Sequence, residues 1–446
     1  MEFINYNLRR KIMSRKKFLV WTAVLLLLSV MSLAFAQSPA SDLTTPQMSE
    51  KMKNAINKSL ENEEFAEKTK AAIKAGEEPC YLGIPGAPSP NLILGLLWAI
   101  WVGWLFSTIG AFGGMMAGIG HITVFGLGPY AKTFGSGNPV NKLVVDSIRV
   151  SNQWLVGFSG LVSSINYFKM GRLVLPIALC LAIGGVGGSW LIPELTAGKI
   201  SFKAYIGYFG IIVMVLGFFL LYDLTPKGSA SKKEAKAAAA AFEKSVKEKK
   251  DSAEMGVKLI EANQKFMWIG IALVVASALW INLIGGAKIV AYILVFAGWI
   301  VGFMIGTVRF TFYGVEFKFR AFIPVIGGIF IAAIAAFLGI GGGFLFVPFL
   351  TSVAGLPMFL VAGTSTFCVL IGMIVSIFTY MVGKGILVSW GFIGMELIGI
   401  FIGSMIGPRT SKYLPDKALK ILFILLAFYV GIRYASQGFL GYKILP

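Results

Sequence analysis

The sequence is poor in charged residues, in cysteine and in histidine. Only 14% of its 446 residues are charged, whereas a soluble chain carries about 25%. It has three cysteines and a single histidine, His121, with no CxxC pair and no Cys/His cluster. Zinc, haem and iron–sulfur sites require such clusters, so we predict no metal and no cofactor. A disulfide framework is not expected either.

The chain also lacks the common signatures of catalysis. No Walker A pattern is present, so direct use of ATP is not indicated. No G-x-S-x-G motif and no paired-carboxylate motif occur, which makes an enzyme the least favoured class and leaves no catalytic residue to predict. The formal net charge of +19 does not indicate nucleic-acid binding, because the lysines fall largely in loops and are not interleaved with aromatic residues.

The chain instead contains a series of long apolar runs. It is 57% hydrophobic, with a mean hydropathy of +0.78, and its runs approach the ~20 residues that a helix needs to cross a bilayer. These features predict an all-α polytopic membrane protein of the inner (cell) membrane, with the lipid bilayer as its surroundings. The expected spans are 92–109, 143–165, 173–193, 202–222, 266–284, 288–308, 320–338, 358–382, 386–406 and 418–436.

The N-terminal residues 1–36 have the composition of a secretory leader. Basic residues at 15–17 precede an apolar run at 18–33, and Ala34-Phe35-Ala36 follows it. This pattern predicts a signal peptide or, as an alternative, an uncleaved signal anchor. Both place residue 37 outside the cytoplasm.

Two polar segments flank the first apolar half. In residues 37–90, Met48, Met52, Ile56 and Leu60 recur every four residues, which predicts an extracytoplasmic amphipathic helix. This helix would lie on the membrane or cover the protein, or it would be a solvated helix of no special function. Residues 223–265 are rich in lysine and are expected to be cytoplasmic, as a solvated linker in preference to a charged helix on the membrane face. The predicted organisation is therefore 1–36 leader, 37–90 outer segment, 91–222 first repeat, 223–265 loop and 266–446 second half.

Glycine and proline interrupt the apolar stretch 337–380. Four glycines occur within 339–343, Pro348 and Pro357 follow, and Gly363-Thr364-Ser365 comes next. Glycine and proline both disfavour a continuous helix. Irregular backbone survives in a membrane only where protein buries it or water lines it. We therefore predict a broken, re-entrant segment beside a polar cavity.

The two halves of the chain are weakly similar. Counted from Pro139 and Pro357, Asp146 corresponds to Thr364 and Ser147 to Ser365, and a glycine-rich apolar piece precedes each proline. Residue 37 is expected outside the cytoplasm, so the first unit, from residue 92, begins on the outside. The loop at 223–265 is expected inside, and two further spans return the chain to the inside before the second unit begins at residue 320. The two units therefore have opposite orientations. Inverted repeats with broken helices near the midplane are a recurring plan of transporters.

The motifs of the second half resemble those of the TauE/SafE family of sulfite exporters and related anion permeases. The resemblance rests on Gly339-Ile340-Gly341-Gly342-Gly343, Val347-Pro348, Gly355-Leu356-Pro357 and Ala362-Gly363-Thr364-Ser365, in that order. Residues 92–222 are similar to the family's other repeat more loosely. The resemblance implies transport of sulfur-containing anions such as sulfite, sulfoacetate or other organosulfonates.

Two groups of residues are candidates for binding a small anionic substrate. Backbone N–H groups at Gly341, Gly342 and Gly343, with the hydroxyls of Thr364 and Ser365, would replace the water around an oxyanion. The competing interpretation is that these small residues serve only helix packing.

The second group comes from the first repeat. Asp146 and Arg149 are three residues apart and can pair on one helix face. Arg149 would contact the anion beside Ser147, while Asp146 would orient Arg149 or carry a proton. The alternative is that the charged pair snorkels to the interface.

Proton coupling has three candidates: Asp146, His121 and Glu396. Histidine titrates near neutral pH, and ionisable groups within a membrane are costly and usually functional. A lone histidine is, however, more often a packing residue, and Glu396 would otherwise neutralise a buried partner. The predicted function is a secondary transporter for a small sulfur-containing anion, potential- or proton-coupled. The alternative is a non-transporting membrane anchor for a partner protein, and a homodimer is compatible with either.

Overall fold

The fold is a bundle of apolar helices with a small sheet at one end. The computed structural model describes residues 43–135, 137–196, 202–225, 227, 233–248, 255–338 and 342–445. The predictions for residues 1–36 and for Gly341 lie outside these residues. The protein is 75% helical, which confirms the all-α prediction.

The helices and strands follow in chain order. The first half contains α1 (Glu50–Leu60), α2 (Glu63–Ala72), α3 (Leu92–Ile109), α4 (Gly113–Ile119), α5 (Leu127–Thr133), α6 (Pro139–Lys169), α7 (Leu175–Thr196), α8 (Phe202–Asp223) and α9 (Lys233–Lys247). The second half contains β1 (Lys258–Glu261), α10 (Gln264–Leu279), α11 (Lys288–Phe303), β2 (Thr307–Phe312), β3 (Val315–Arg320), α12 (Phe322–Leu338), α13 (Gly343–Pro348), α14 (Met358–Phe378), α15 (Trp390–Ser411) and α16 (Asp416–Phe439).

Long apolar helices confirm the polytopic membrane class. Among the described residues, five helices are long and apolar enough to cross a membrane: Leu92–Ile109, Gln264–Ile284, Met358–Gly383, Trp390–Ser411 and Asp416–Phe439. Shorter apolar helices lie between them, at Leu175–Leu191, Gly210–Tyr222, Lys288–Phe303, Phe322–Ala335 and Gly343–Val353.

Both glycine-rich stretches are broken helices, as predicted. After α3, Gly110 and Phe112 adopt left-handed backbone (φ 75° and 65°) and turn the chain into the short α4. A π-helical turn, Gly120–Val124, continues α4, and a second π-helical turn, Phe349–Val353, continues α13 in the same way. Each half therefore has a short helix that ends in a wide turn before its long central helix, α6 or α14.

The helices pair across the two halves in a reciprocal pattern. In this pattern α3 of the first half lies on α15 of the second, and α12 of the second half lies on α7 of the first. The two central helices, α6 and α14, pack together, as do the last helices, α8 and α16. Glycines allow these close approaches, since a Cβ at Gly403 would stand 2.1 Å from the Ile100 carbonyl and one at Gly184 only 2.0 Å from the Val325 carbonyl. The reciprocal pairing favours the inverted repeat, which stays a prediction.

Residues 43–90 form a small module on one end of the bundle. The predicted amphipathic stretch is two helices, because Asn62 caps α2 through its side chain and separates it from α1. Met52 and Ile56 are buried against Val140 at the start of α6, and the same cluster includes Phe392 of α15. We call residues 43–90 the outer module, after their predicted location; the module packs against the bundle.

The lysine-rich segment and the sheet occupy the opposite end of the bundle. Strands β1, β2 and β3 pair antiparallel in that order. Phe242 of α9 is fully buried, 4.5 Å from the Phe359 ring between centroids, so the solvated-linker interpretation of 223–265 is wrong for α9. Glu243 accepts a hydrogen bond from the Asp416 amide at the start of α16. The 22 residues of α15 separate the two ends by about 33 Å.

Candidate functional site

A cavity of about 80 Å³ lies at the centre of the bundle, between α6, α7, α12 and α14. Its lining includes Arg149 and Gln153 of α6, Gly342 at the second helix break, and Tyr380 and Lys384 just beyond α14. These residues come from both halves of the chain. The volume is enough for a few water molecules or one small anion. We call this space the central cavity.

Arg149 lines the central cavity and is held there by two hydrogen bonds. Its Nη1 donates to the Tyr380 hydroxyl at 2.9 Å and to Asp146 Oδ1 at 3.3 Å. The second contact is the i,i+3 pairing that the sequence predicted. The side chains of Arg149 and Asp146 are each 29% exposed, so protein encloses the pair only in part.

A second cation faces the same group from the end of α14. The Lys384 ammonium stands 4.9 Å from the centroid of the Tyr380 ring, which is close enough for a cation–π contact. Among the described lining residues, Arg149 and Lys384 are the charged ones, and no carboxylate lines the cavity. A space lined by cations and without acids favours an anion over a cation.

Gln153 adds an adaptable polar group to the cavity wall. Its side-chain oxygen is buried and makes no hydrogen bond to any residue that the structure describes. The oxygen and the NH₂ group of a glutamine side chain are similar in size and exchange places when the amide rotates by half a turn. A flipped Gln153 would therefore present its NH₂ group to the cavity instead. Either orientation leaves one polar group of Gln153 available to a ligand in the cavity.

The predicted glycine cluster reaches the cavity at one residue. Gly342 lines it, whereas Gly343 is buried in packing, where an added Cβ would stand 3.1 Å from the Gly110 carbonyl. Gly341 lies outside the described residues. The approach of Gly343 to Gly110 brings the two helix breaks of the bundle into contact.

Thr364 and Ser365 lie away from the cavity and bind backbone instead. The Thr364 hydroxyl donates to the Leu360 carbonyl at 2.7 Å and accepts from the Val174 amide at 3.1 Å. Ser365 Oγ donates to the Gly110 carbonyl at 2.6 Å. Both side chains are fully buried. Their hydroxyl groups therefore stabilise the helix break at Gly110 and the turn before α7, rather than facing a substrate in this structure.

Ser147 faces the outer module rather than the central cavity. Its hydroxyl shares a hydrogen bond of 3.1 Å with the hydroxyl of Tyr81, which is 2% exposed. Burial raises the pKa of Tyr81 to about 12, so this contact keeps its proton at physiological pH. Ser147 thus joins α6 to the module.

Two of the proton-coupling candidates are partners of each other. His121 Nε2 lies 2.8 Å from Glu396 Oε2, and the two side chains are 1% and 2% exposed. The other ring nitrogen, Nδ1, bonds to the Asn152 side chain of α6. His121 is positioned by the π-helical turn after α4, and Glu396 by α15. An acid and a base in contact can hold or pass a proton without leaving a buried charge unpaired. Asn152 is one helical turn beyond Arg149, so α6 connects this pair to the central cavity.

Four residues of the site and its surroundings were not predicted from the sequence: Gln153, Lys384, Asn152 and Arg172. Arg172 is 2% exposed, and its guanidinium donates to the carbonyls of Phe359 and Pro408 and to Ser411 Oγ. It lies in the turn between α6 and α7, where it joins α14 to α15. An arginine next to the glycine of a short turn was its only signal in the sequence, and that signal does not distinguish a buried residue from an exposed one.

The long apolar helices define a polytopic membrane protein. Residues 260–434 match the family model described as Sulfite exporter TauE/SafE, which confirms the resemblance of the second half. That family is one of membrane transporters for sulfite-type anions, not of enzymes. No curated protein and no solved structure matches the chain.

Proposed function

We propose that this chain is a secondary transporter of a small sulfur-containing anion, such as sulfite, sulfoacetate or another organosulfonate. The observation that carries the proposal is the central cavity, in which Arg149 and Lys384 converge beside Gly342 without a lining carboxylate among the described residues. The family match of residues 260–434 supports the substrate class. The match covers only the second half of the chain. We extend the proposed substrate class to the whole chain because Arg149 and Gln153, from the first half, also line the cavity.

Arg149 is the proposed primary contact of the anion. In the structure its guanidinium donates to the Tyr380 hydroxyl and to the Asp146 carboxylate. An oxyanion in the central cavity would be met by this guanidinium and by the ammonium of Lys384. A hydrogen bond between charged partners is roughly twice as strong as a neutral one, so these two side chains would contribute most of the binding.

The His121–Glu396 pair is the proposed site of proton coupling. The two side chains are buried together and lie one turn of α6 from the anion contact, through Asn152. A change of protonation there would alter the hydrogen bond to Asn152 and so the position of α6. The proposed orientation places the outer module outside the inner membrane and residues 223–265 in the cytoplasm, as the lysines indicate.

The proposal is tested by ligand binding and by flux. Purified protein is heated with sulfite, sulfate, thiosulfate, sulfoacetate, taurine, phosphate or chloride, and the melting temperature is compared with that of the unliganded protein. A ligand at 100 times its Kd stabilises by about 2.7 kcal/mol. Proteoliposomes containing the protein are then assayed for uptake of the stabilising anion.

A selective shift with a sulfur oxyanion, together with uptake that needs the protein, is the expected outcome. Stabilisation by chloride and phosphate to the same extent would contradict the substrate class. The absence of both binding and flux for the whole panel would favour the membrane-anchor alternative.

A further inference from the structure

A second and larger cavity lies between the outer module and the bundle. It has a volume of about 210 Å³ and is enclosed by Ser49, Lys51 and Leu82 of the module, Leu143 of α6, and residues 385–390. Neither the family match nor the central site accounts for the module, because residues 43–90 precede the matched stretch. We call this space the outer cavity.

The outer cavity and the central cavity both border α6. Leu143 lines the outer cavity, and Arg149 and Gln153 line the central one. Arg149 is six positions after Leu143, which is about 9 Å along the axis. Asp146 lies between them in the sequence, and its carboxylate accepts a hydrogen bond from Arg149.

The segment after α14 also borders both spaces. Lys384 lines the central cavity, and its neighbour Gly385 lines the outer one. Asp146, Arg149, Tyr380 and Lys384 form a group of interacting side chains beside this border. We call this group the partition; it is held by the Arg149–Tyr380 hydrogen bond and by the Lys384 ammonium over the Tyr380 ring.

The charge of the outer cavity continues that of the central one. Lys51 is the charged residue among its described lining residues, and no acid lines it. The Lys51 ammonium donates to the Lys384 carbonyl, which joins the outer module to the partition. Lys51 is exposed, so its side chain remains within reach of solvent.

We propose that the outer cavity is a second binding site for the transported anion, in which Lys51 attracts the anion and the partition controls its passage to the central cavity. The inference rests on the proposed function, and it gives the outer module a role as the roof of the access route. The ligand chemistry is that of a small sulfur oxyanion. The cations Lys51, Lys384 and Arg149 follow one another along the route.

The first test measures the charge preference of the outer cavity without any transport. Cysteine is introduced at Ser389, which lines this cavity, in a background with Cys80→Ser, Cys180→Ala and Cys368→Ala. Two methanethiosulfonate reagents of similar size are compared, one with a sulfonate and one with a quaternary ammonium. We expect the sulfonate reagent to react faster, and Lys51→Glu to reverse the order.

The matched control is Lys58→Glu, an exposed lysine on the same helix that does not line the cavity. Lys58→Glu should leave the ratio of the two rates within twofold of its value without the substitution. A ratio that Lys51→Glu and Lys58→Glu change equally overturns the proposal, since the effect would then be one of net charge alone. This result does not depend on whether the protein transports anything.

The second test measures flux. At low ionic strength, we expect Lys51→Glu to raise the KM for the transported anion at least fivefold, with a smaller effect at high salt. Lys51→Arg should restore the KM, because it keeps the positive charge. Wild-type flux with an unchanged KM in Lys51→Glu overturns the outer site but leaves the proposed function intact. A defect in Lys51→Arg equal to that of Lys51→Glu also overturns it, because the contact to Lys384 would then be structural only.

Discussion

The contact between His121 and Glu396 predicts effects on stability and on proton-coupled transport. The two atoms that meet are 2.8 Å apart, and the side chains are 1% and 2% exposed. Removing one partner of a buried hydrogen-bonded pair leaves the other unsatisfied, which costs about 1–3 kcal/mol. We therefore expect Glu396→Ala to destabilise the protein by this amount.

The double substitution separates the pair interaction from simple packing loss. If the pair acts as a unit, Glu396→Ala and His121→Ala together should cost less than the sum of the two single changes. The expected coupling is about 0.5–3 kcal/mol, the range for residues in direct contact. The measurement is the free energy of unfolding in a denaturant series, made on all four proteins in the same detergent.

Transport provides the functional part of the same prediction. Glu396→Gln keeps the size of the side chain and one hydrogen bond to His121, but it removes the carboxylate that could hold a proton. We expect folded protein whose flux no longer depends on a proton gradient. Additive stability losses would refute the pairing, and a wild-type response of Glu396→Gln to the gradient would refute the coupling role.

Three further predictions concern the anion contact, the buried hydroxyls and the outer module. Arg149→Gln should weaken anion binding by about 1.5–3 kcal/mol, measured as a 10- to 100-fold higher Kd, whereas Lys142→Gln, exposed on the same helix, should not. Thr364→Val should lower the free energy of unfolding by about 1–3 kcal/mol, because it leaves the buried Val174 amide without its acceptor; unchanged stability would contradict the structural role. The raised pKa of Tyr81, about 12, predicts stability that is fully present below pH 10 and declines as pH rises toward 12. Tyr81→Phe should reduce this decline, and an identical decline in both proteins would contradict it.

The motifs of the second half predicted the helix break but did not distinguish two uses of the neighbouring hydroxyl groups. The glycines and prolines of 339–357 predicted a helix break beside a cavity, and Gly342 does line one. The same reasoning assigned Thr364 and Ser365 to the substrate, but the structure engages both hydroxyls with backbone carbonyls. A hydroxyl near a broken helix has two available uses, binding a ligand or satisfying the freed backbone. Residue type and spacing do not distinguish them, because both uses require the same donor.

The sequence by itself determined the features that depend on local chemistry. The length of the apolar runs predicted membrane-crossing helices. The 3.6-residue helical period placed Asp146 beside Arg149, as observed at 3.3 Å. Each of these depends on residues within a few turns of one another, so no knowledge of the packing is needed.

The tertiary structure decided which distant residues meet. His121 and Glu396 are 275 residues apart, and Arg149 meets Tyr380 across 231. A helical period defines the face on which a side chain lies, but it does not say which helix packs against that face. That choice follows from the reciprocal pairing of the two halves, where glycines such as Gly184 and Gly403 let backbones approach closely. The central cavity and the outer cavity are both products of that pairing.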